Sequence, residues 1–297
     1  GNRLHRVAIR EGAELEDLSA LLDMAIEPME ITDDRDASFS PDGRLIAASV
    51  SRGSCVGWSC VWLGPSDDPS AMRPIRVDIE PDALLHASWP VVADDARFVV
   101  YESAGATAEH HYDVWITHRG DGGDYGPPVV LSAASTRPYN KRPRLSPDQT
   151  RVVFSCSFEI YGYDSICEVG TDGTGFRILL SPDQAPPPYV ALRDESLDHP
   201  SYAPDGSIVF ATRWGVGSQI WRLPADGGLP ERVHLADLHE LTQPCVLPDG
   251  RIVAVHDLSA EAPGTTLAVL EPDGALAFEI APTWVPGQYT WLTGCGP

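Results

Sequence analysis

Asp36, His86, Arg142, His199, Gln243 and Gln288 each stand just before a strand-like run that opens a recurring segment of the chain. All six are polar or ionisable, and six groups of that kind at one repeated position are what a ligand-binding funnel requires. His86, His199 and Asp36 supply two imidazoles and a carboxylate, a donor set for a divalent metal if they converge. Arg142 in the same company suits an anionic group on a ligand. The same residues also satisfy one another and water in a wet channel that binds nothing. No cofactor is implied beyond a divalent metal at that set, and no residue is assigned a catalytic role.

Other candidate chemistry falls away on spacing. His239-Glu240-Leu241-Thr242-Gln243 resembles a zincin helix, but Gln243 stands where the second histidine must be and Pro244 follows. Gly170 to Gly175 lacks the Lys-Ser/Thr end of a phosphate loop. No Gly-x-Ser-x-Gly elbow exists for a Ser-His-Asp hydrolase. His110 and His111 are expected in an exposed loop. Tyr139, Trp214 and Trp284 are aromatics that either stack on a ligand near the channel or pack between strands.

The six cysteines are informative in their spacing. Cys55 and Cys60 bracket a short connection. Cys156 and Cys167 lie on two strand-like runs joined by an aromatic, Gly-rich turn. Cys245 and Cys295 remain. Cross-strand thiols at these positions meet disulfide geometry and favour an oxidising compartment, with six buried free thiols as the alternative. No CxxC pair supports a zinc ribbon or a redox motif.

The elements that carry these residues come from a repeat. SFSPDGRLIAAS at 38–49 returns as SWPVVADDARFVVYES at 88–103, RLSPDQTRVVFSCS at 144–157, SYAPDGSIVFATR at 201–213 and CVLPDGRIVAVHD at 245–257. Ser-Pro-Asp-Gly is a turn: Pro presets φ, Asp bonds the local backbone and Gly accepts positive φ. The run that follows is apolar at consecutive positions, so it is buried on both faces. A more alternating run and an Asp-Gly turn come next, leading into an exposed last strand. The Pro-Asp turns recur roughly every 44–57 residues, which fits four strands and their loops.

The expected fold is therefore all-β, a six-bladed β-propeller of four-stranded antiparallel blades in a single domain over 1–297. Five blades fall at about 31–80, 81–134, 135–193, 194–240 and 241–282. The sixth is expected from both termini, about 3–30 with 283–297, which closes the ring and removes sheet edges. Leu15, Leu18, Leu21 and Leu22 are also spaced for an amphipathic helix over 13–24, so strand and helix both remain open there. A Cys245–Cys295 bridge would pin the closure.

At these turns the sequence resembles the TolB-like propeller family, whose repeats carry the same Ser-Pro-Asp-Gly turn and a second Asp-Gly turn. It departs at Val91-Val92-Ala93-Asp94-Asp95 and in its cysteines. The resemblance implies a periplasmic or secreted binding scaffold, or a gating domain attached to a peptidase.

Composition narrows the partners. The net charge of −22 repels nucleic-acid phosphates and anionic lipid headgroups. No apolar run reaches membrane-spanning length and no signal-peptide core is present, so an exported chain is expected to have lost its leader. The leading expectation is a secreted or periplasmic, monomeric, non-enzymatic propeller that binds a protein, peptide or glycan through its axial face. The competing one is a metal-dependent carbohydrate-active enzyme, a lyase or hydrolase, with a His-based site in the channel. The bias to Arg over Lys points to a high-GC bacterial coding sequence.

Overall fold

A computed structural model describes residues 3–25, 34–51, 59–75, 87–105, 107, 109–160, 162–190, 195–215, 217–233, 240–257, 265–281, 292 and 294–295. The chain starts with a short hairpin, β1 (His5–Val7) and β2 (Leu15–Asp17), that leads into helix α1 (Leu18–Ala25). Both expectations for this segment were half right: Asp17 ends the strand and its carboxylate caps the helix, accepting the Ala20 N–H at 3.0 Å.

Five antiparallel meanders follow. The first holds β3 (Asp34–Phe39), β4 (Leu45–Val50), β5 (Cys60–Pro65) and β6 (Arg73–Pro74). The second holds β7 (Ala87–Val92), β8 (Phe98–Ala104), β9 (Tyr112–His118) and β10 (Val129–Val130). The third runs β11 (Tyr139–Leu145), β12 (Arg151–Ser157), β13 (Ser165–Gly170) and β14 (Arg177–Leu180). The fourth runs β15 (Asp198–Tyr202), β16 (Ile208–Thr212), β17 (Gln219–Leu223) and β18 (Glu231–Arg232). The fifth runs β19 (Leu241–Val246), β20 (Ile252–Asp257), β21 (Thr265–Leu270) and β22 (Leu276–Ile280). A single parallel pairing, Tyr139 with Tyr112, links the second and third meanders.

The repeated turn joins the first and second strand of every meander, and its aspartate works the same way each time. Asp42, Asp95, Asp148, Asp205 and Asp249 accept the backbone N–H two residues on, at 3.1, 3.1, 3.1, 2.9 and 3.0 Å. Hydroxyl donors from Ser40, Ser146 and Ser207 to Asp42, Asp148 and Asp205, together with these backbone bonds, favour the ionised form and hold all five carboxyls below their usual range. The next residue takes positive φ whether it is Gly or not: Gly43, Ala96, Gln149, Gly206 and Gly250. The divergent second turn is thus Ala93-Asp94-Asp95-Ala96, the same structure in different letters.

Second strands are buried along their length, as consecutive apolar residues require. The core is a series of layers between consecutive meanders. Ala47 and Val61 pack with Val92, Val99 and Tyr101; Val100 and Ile116 with Val152 and Phe154; Val153 and Ile166 with Phe210 and Trp221. Val209 and Ile220 then pack with Ile252 and Ala268. Each Val, Ile or Phe side chain among them contributes about 1.5–3 kcal/mol on burial.

Both ends of the chain enter this series between the fifth meander and the first. Val7, Ile9, Leu292 and Cys295 pack on the Val253–Leu267 layer, while Leu4, Leu18 and Leu22 pack on Ile46, Val50 and Trp62. Cys245 and Cys295 form a disulfide, and Cys156 with Cys167 forms another that joins β12 to β13. Cys60 is disulfide-bonded as well; Cys55 lies outside the described residues. A side chain at Gly294 would collide with the Ala37 carbonyl at 2.7 Å and Ser38 Cα at 2.8 Å, so only glycine lets this segment lie against β3.

Candidate ligand site

Each first strand breaks its ladder at one place. The register shifts between Arg35 and Ala37, Ser88 and Val91, Lys141 and Arg144, Asp198 and Ser201, and Thr242 and Cys245. At each break one non-glycine residue has positive φ: Asp36 at 49°, Trp89 at 50°, Arg142 at 57°, His199 at 52° and Gln243 at 52°. In four of the five a proline follows, which donates nothing to the ladder and so tolerates the bulge. Bulges of this kind bend the strand and re-aim a side chain.

The bulge corrects the sequence alignment in the second meander. Trp89, six residues before Asp95 as Asp36 is before Asp42, holds the position expected for His86. The divergent turn hid this register. His86, Gln288 and Trp284 lie outside the described residues.

Four of the re-aimed side chains meet. The Trp89 and His199 rings, from the second and fourth meanders, sit edge to face with centroids 5.5 Å apart. The Arg142 and Arg144 guanidinium carbons lie 5.9 and 5.4 Å from the centre of the Trp89 ring. Arg142 pairs with Asp198 at 2.6 Å, and its own N–H donates to Glu102 Oε2 at 2.9 Å. The Trp89 N–H donates to Asp36, and Lys141 lies 3.1 Å from Asp164. Gln243 does something else: its amide oxygen accepts the Leu292 N–H at 2.7 Å, tying β19 to the C-terminal segment.

Burial governs the protonation of this cluster. It raises Asp36 to about 6 against the pull of Arg35, and Glu102 to about 7 against the Arg142 N–H. It lowers Arg144 to about 10 despite Asp36. His199 falls well below 6.5, first through burial and then through Arg142, Arg144 and Lys141. The Asp198 and Arg142 side chains still keep 39% and 20% exposure, so water reaches both.

His199 is the anomaly. The residue is 8% exposed, and neither ring nitrogen has a hydrogen-bond partner. An unpaired buried imidazole costs about 1–3 kcal/mol. Four strained backbones and one unsatisfied ring converging on a point suggest function, because strain persists where the surroundings impose it.

Toward the Pro-Asp turns the first strands enclose a cavity of about 100 Å³, lined by Ser38, Val91, Arg144, Tyr202, Val246 and Cys295 among others. The turns are laced together beyond it, with the Asp42 N–H donating to Asp94 at 2.7 Å and Gln149 bonding Asp94 in turn. At the other end lie the remaining loops. Trp214 takes the second of its two expected roles, packing in the core: it is 1% exposed and its indole N–H donates to the Pro182 carbonyl at 2.9 Å. His110 is not a free loop histidine either, since Nδ1 lies 2.9 Å from the buried Asp113 carboxylate. Tyr139 stacks on His111 at 4.8 Å.

No group of three or more His, Cys, Asp or Glu able to hold a metal occurs among the described residues. A dication beside His199 would also face Arg142, Arg144 and Lys141.

No protein-family model matches the sequence, and comparison with curated proteins returns no match. Solved structures do match. A protein assigned as TolB from Agrobacterium tumefaciens superposes with a TM-score of 0.61 at 13% identity, over 90% of this chain and 84% of that one. The fold is that of the TolB-like β-propellers. A puromycin hydrolase matches with a TM-score of 0.62 at 17% identity, over 100% of this chain but only 47% of its own length. A structure of a nidogen/laminin complex matches with a TM-score of 0.61 at 8% identity, over 94% of this chain and 90% of that one. The TolB-like fold explains the layered core, because each meander is a blade buried between its neighbours.

Proposed function

We propose that this chain is an extracytoplasmic, non-enzymatic six-bladed propeller that binds a protein, peptide or glycan through its axial opening. Support for the sixth blade comes from the hairpin β1–β2 and residues 292–295, which pack between the fifth meander and the first. Two disulfides within the described residues support an oxidising compartment, and none of their helices is long and apolar enough to cross a membrane.

One observation carries the binding reading. Side chains from four blades are turned by strained bulges onto a shared opening, where His199 is buried with both nitrogens unpaired. The neighbours add to it. The match extends over most of the protein in the nidogen/laminin complex, while in the hydrolase about half of the molecule lies outside it.

Peptide and glycan arrays probed with the labelled protein and with Trp89→Ala test this reading. Spots bound by the wild type and lost in a variant of unchanged fold are expected. Arrays on which both proteins bind alike, or turnover of an arrayed ligand, would overturn it.

A further inference from the structure

We infer that the axial opening takes a carboxylate, presented as the free C-terminus of an extended peptide; this rests on the binding function proposed above and names its ligand. The charges come first. Arg35, Lys141, Arg142 and Arg144 face Asp36, Asp164 and Asp198, together with Glu102, whose carboxyl is raised to about 7. Four cations thus stand among four carboxyls, one of them only partly ionised near neutrality. The molecule as a whole carries −22, so this cluster of balanced charge differs from the acidic protein around it.

His199 supplies the second requirement. A neutral imidazole offers one N–H donor and one acceptor, and here neither is used. Its neighbours Arg142, Arg144 and Lys141 oppose its protonation. An incoming carboxylate accepts from the His199 N–H while its charge is met by the arginines, a charge-assisted arrangement stronger than a neutral one. The ligand thereby pairs a group that the free protein leaves unpaired.

Shape selects a chain end. The bulge residues sit at the second to fourth positions of the first strands, so Arg142 lies deeper than the turn that begins at Phe158, just beyond the Tyr139–Ser157 pair. A terminus threads such an opening head-on, whereas a mid-chain acidic side chain brings its backbone with it. Capture of a terminal carboxylate is a recurring mode of peptide recognition.

The rim then favours peptide over acidic sugar. At the loop end Phe158, Ile160, Tyr163 and Val190 are 60%, 40%, 37% and 74% exposed. Phe158 is braced by the Arg137 guanidinium carbon at 3.8 Å, and the Ile160 carbonyl accepts from the ring's Lys141 at 2.9 Å. That second bond fastens the apolar loop to the charged opening. Apolar side chains a few residues before the C-terminus match such a rim; the hydroxyls of a uronic acid do not.

Fluorescence polarisation with N-terminally labelled random hexapeptides, in free-acid and C-terminally amidated forms, is the test, read up to about 1 mM protein. Oligogalacturonate serves as the acidic-sugar arm. Free-acid peptides are expected to bind at least about tenfold more tightly than amides. That preference is expected to vanish in His199→Phe and in the charge-removing pair Arg142→Gln/Asp198→Asn, which keeps a hydrogen bond between the two positions. Circular dichroism and Tm confirm that each variant is folded. Equal binding of acid and amide forms overturns the carboxylate, and if it depends on Trp89 the axial-binding reading survives. Oligogalacturonate binding in place of peptides overturns the peptide source. Absence of peptide binding by the folded wild type overturns the inference outright, and the glycan arrays still decide the broader reading.

Discussion

His199→Phe separates a histidine kept for binding from one kept for stability. The wild-type ring is buried against Trp89 with both nitrogens unpaired, a state that costs about 1–3 kcal/mol. Phenylalanine keeps the ring and its edge-to-face partner and removes both polar atoms. Its backbone must accept φ near 52°, which costs part of the gain. Trp89 already holds an aromatic side chain at 50° in the equivalent bulge, so the site tolerates that combination. A net gain of about 1 kcal/mol is expected, or roughly 2 °C in Tm for a chain of this size. Differential scanning calorimetry across pH reads it. The folded-state pKa of His199 lies below the unfolded 6.5, so the unfolded chain binds the extra proton as pH falls through 6.5. The wild type therefore loses stability on acidification through this group, and the variant does not. The difference in Tm is expected to widen below about pH 6.5. A variant less stable than wild type by about 1 kcal/mol, with a difference that is flat in pH, would show that the imidazole is satisfied in the free protein.

Four further outcomes are expected of the same molecule. Asp36→Asn and Glu102→Gln are each expected to stabilise the protein most above pH 7, because their folded pKa values of about 6 and 7 exceed the unfolded ones and the penalty grows as pH rises through them; chemical denaturation at pH 5 and pH 8 checks the sign. Cys245→Ser with Cys295→Ser removes a link across 50 residues, worth up to about 4 kcal/mol by chain entropy, and hydrogen exchange is expected to quicken in β3 and β19 before the middle blades. Glu168→Gln breaks the set in which Tyr202 donates at 2.7 Å and Arg151 and Arg177 at 2.7 and 2.8 Å; a loss of about 1–3 kcal/mol is expected in a urea titration, with binding unchanged. Adding Mn, Zn or Ca is expected to leave Tm where it is, and a metal-dependent shift abolished in His199→Ala would instead favour the carbohydrate-active enzyme.

Much of the blade was legible in the letters. A Pro-Asp turn followed by an unbroken apolar run leaves one physical solution, a turn and a strand buried on both faces, and β4, β12 and β16 are that strand. The candidate site was legible only in part. Asp36, Arg142, His199 and Gln243 could be aligned because a fixed count from the turn reaches the bulge that each occupies. Trp89 was missed because the second turn has no proline and its Gly is Ala96, so the count began in the wrong place. A six-residue count back from Asp95 would have found it. Trp214 stayed open between channel and core because an aromatic near a loop reads alike whether it faces water or the interior.

Sequence alone, then, determined what is local and repeated: the turns and the strand order within each blade. These depend on residues a few positions apart, and the chain states them five times. Tertiary structure decided everything that depends on how blades face one another. It turned Gln243 toward Leu292, set Arg142 against Asp198, and left His199 buried with nothing to bond. The reason is that a bulge aims its side chain across an axis shared by blades distant in sequence, where the partners are set by packing and not by spacing.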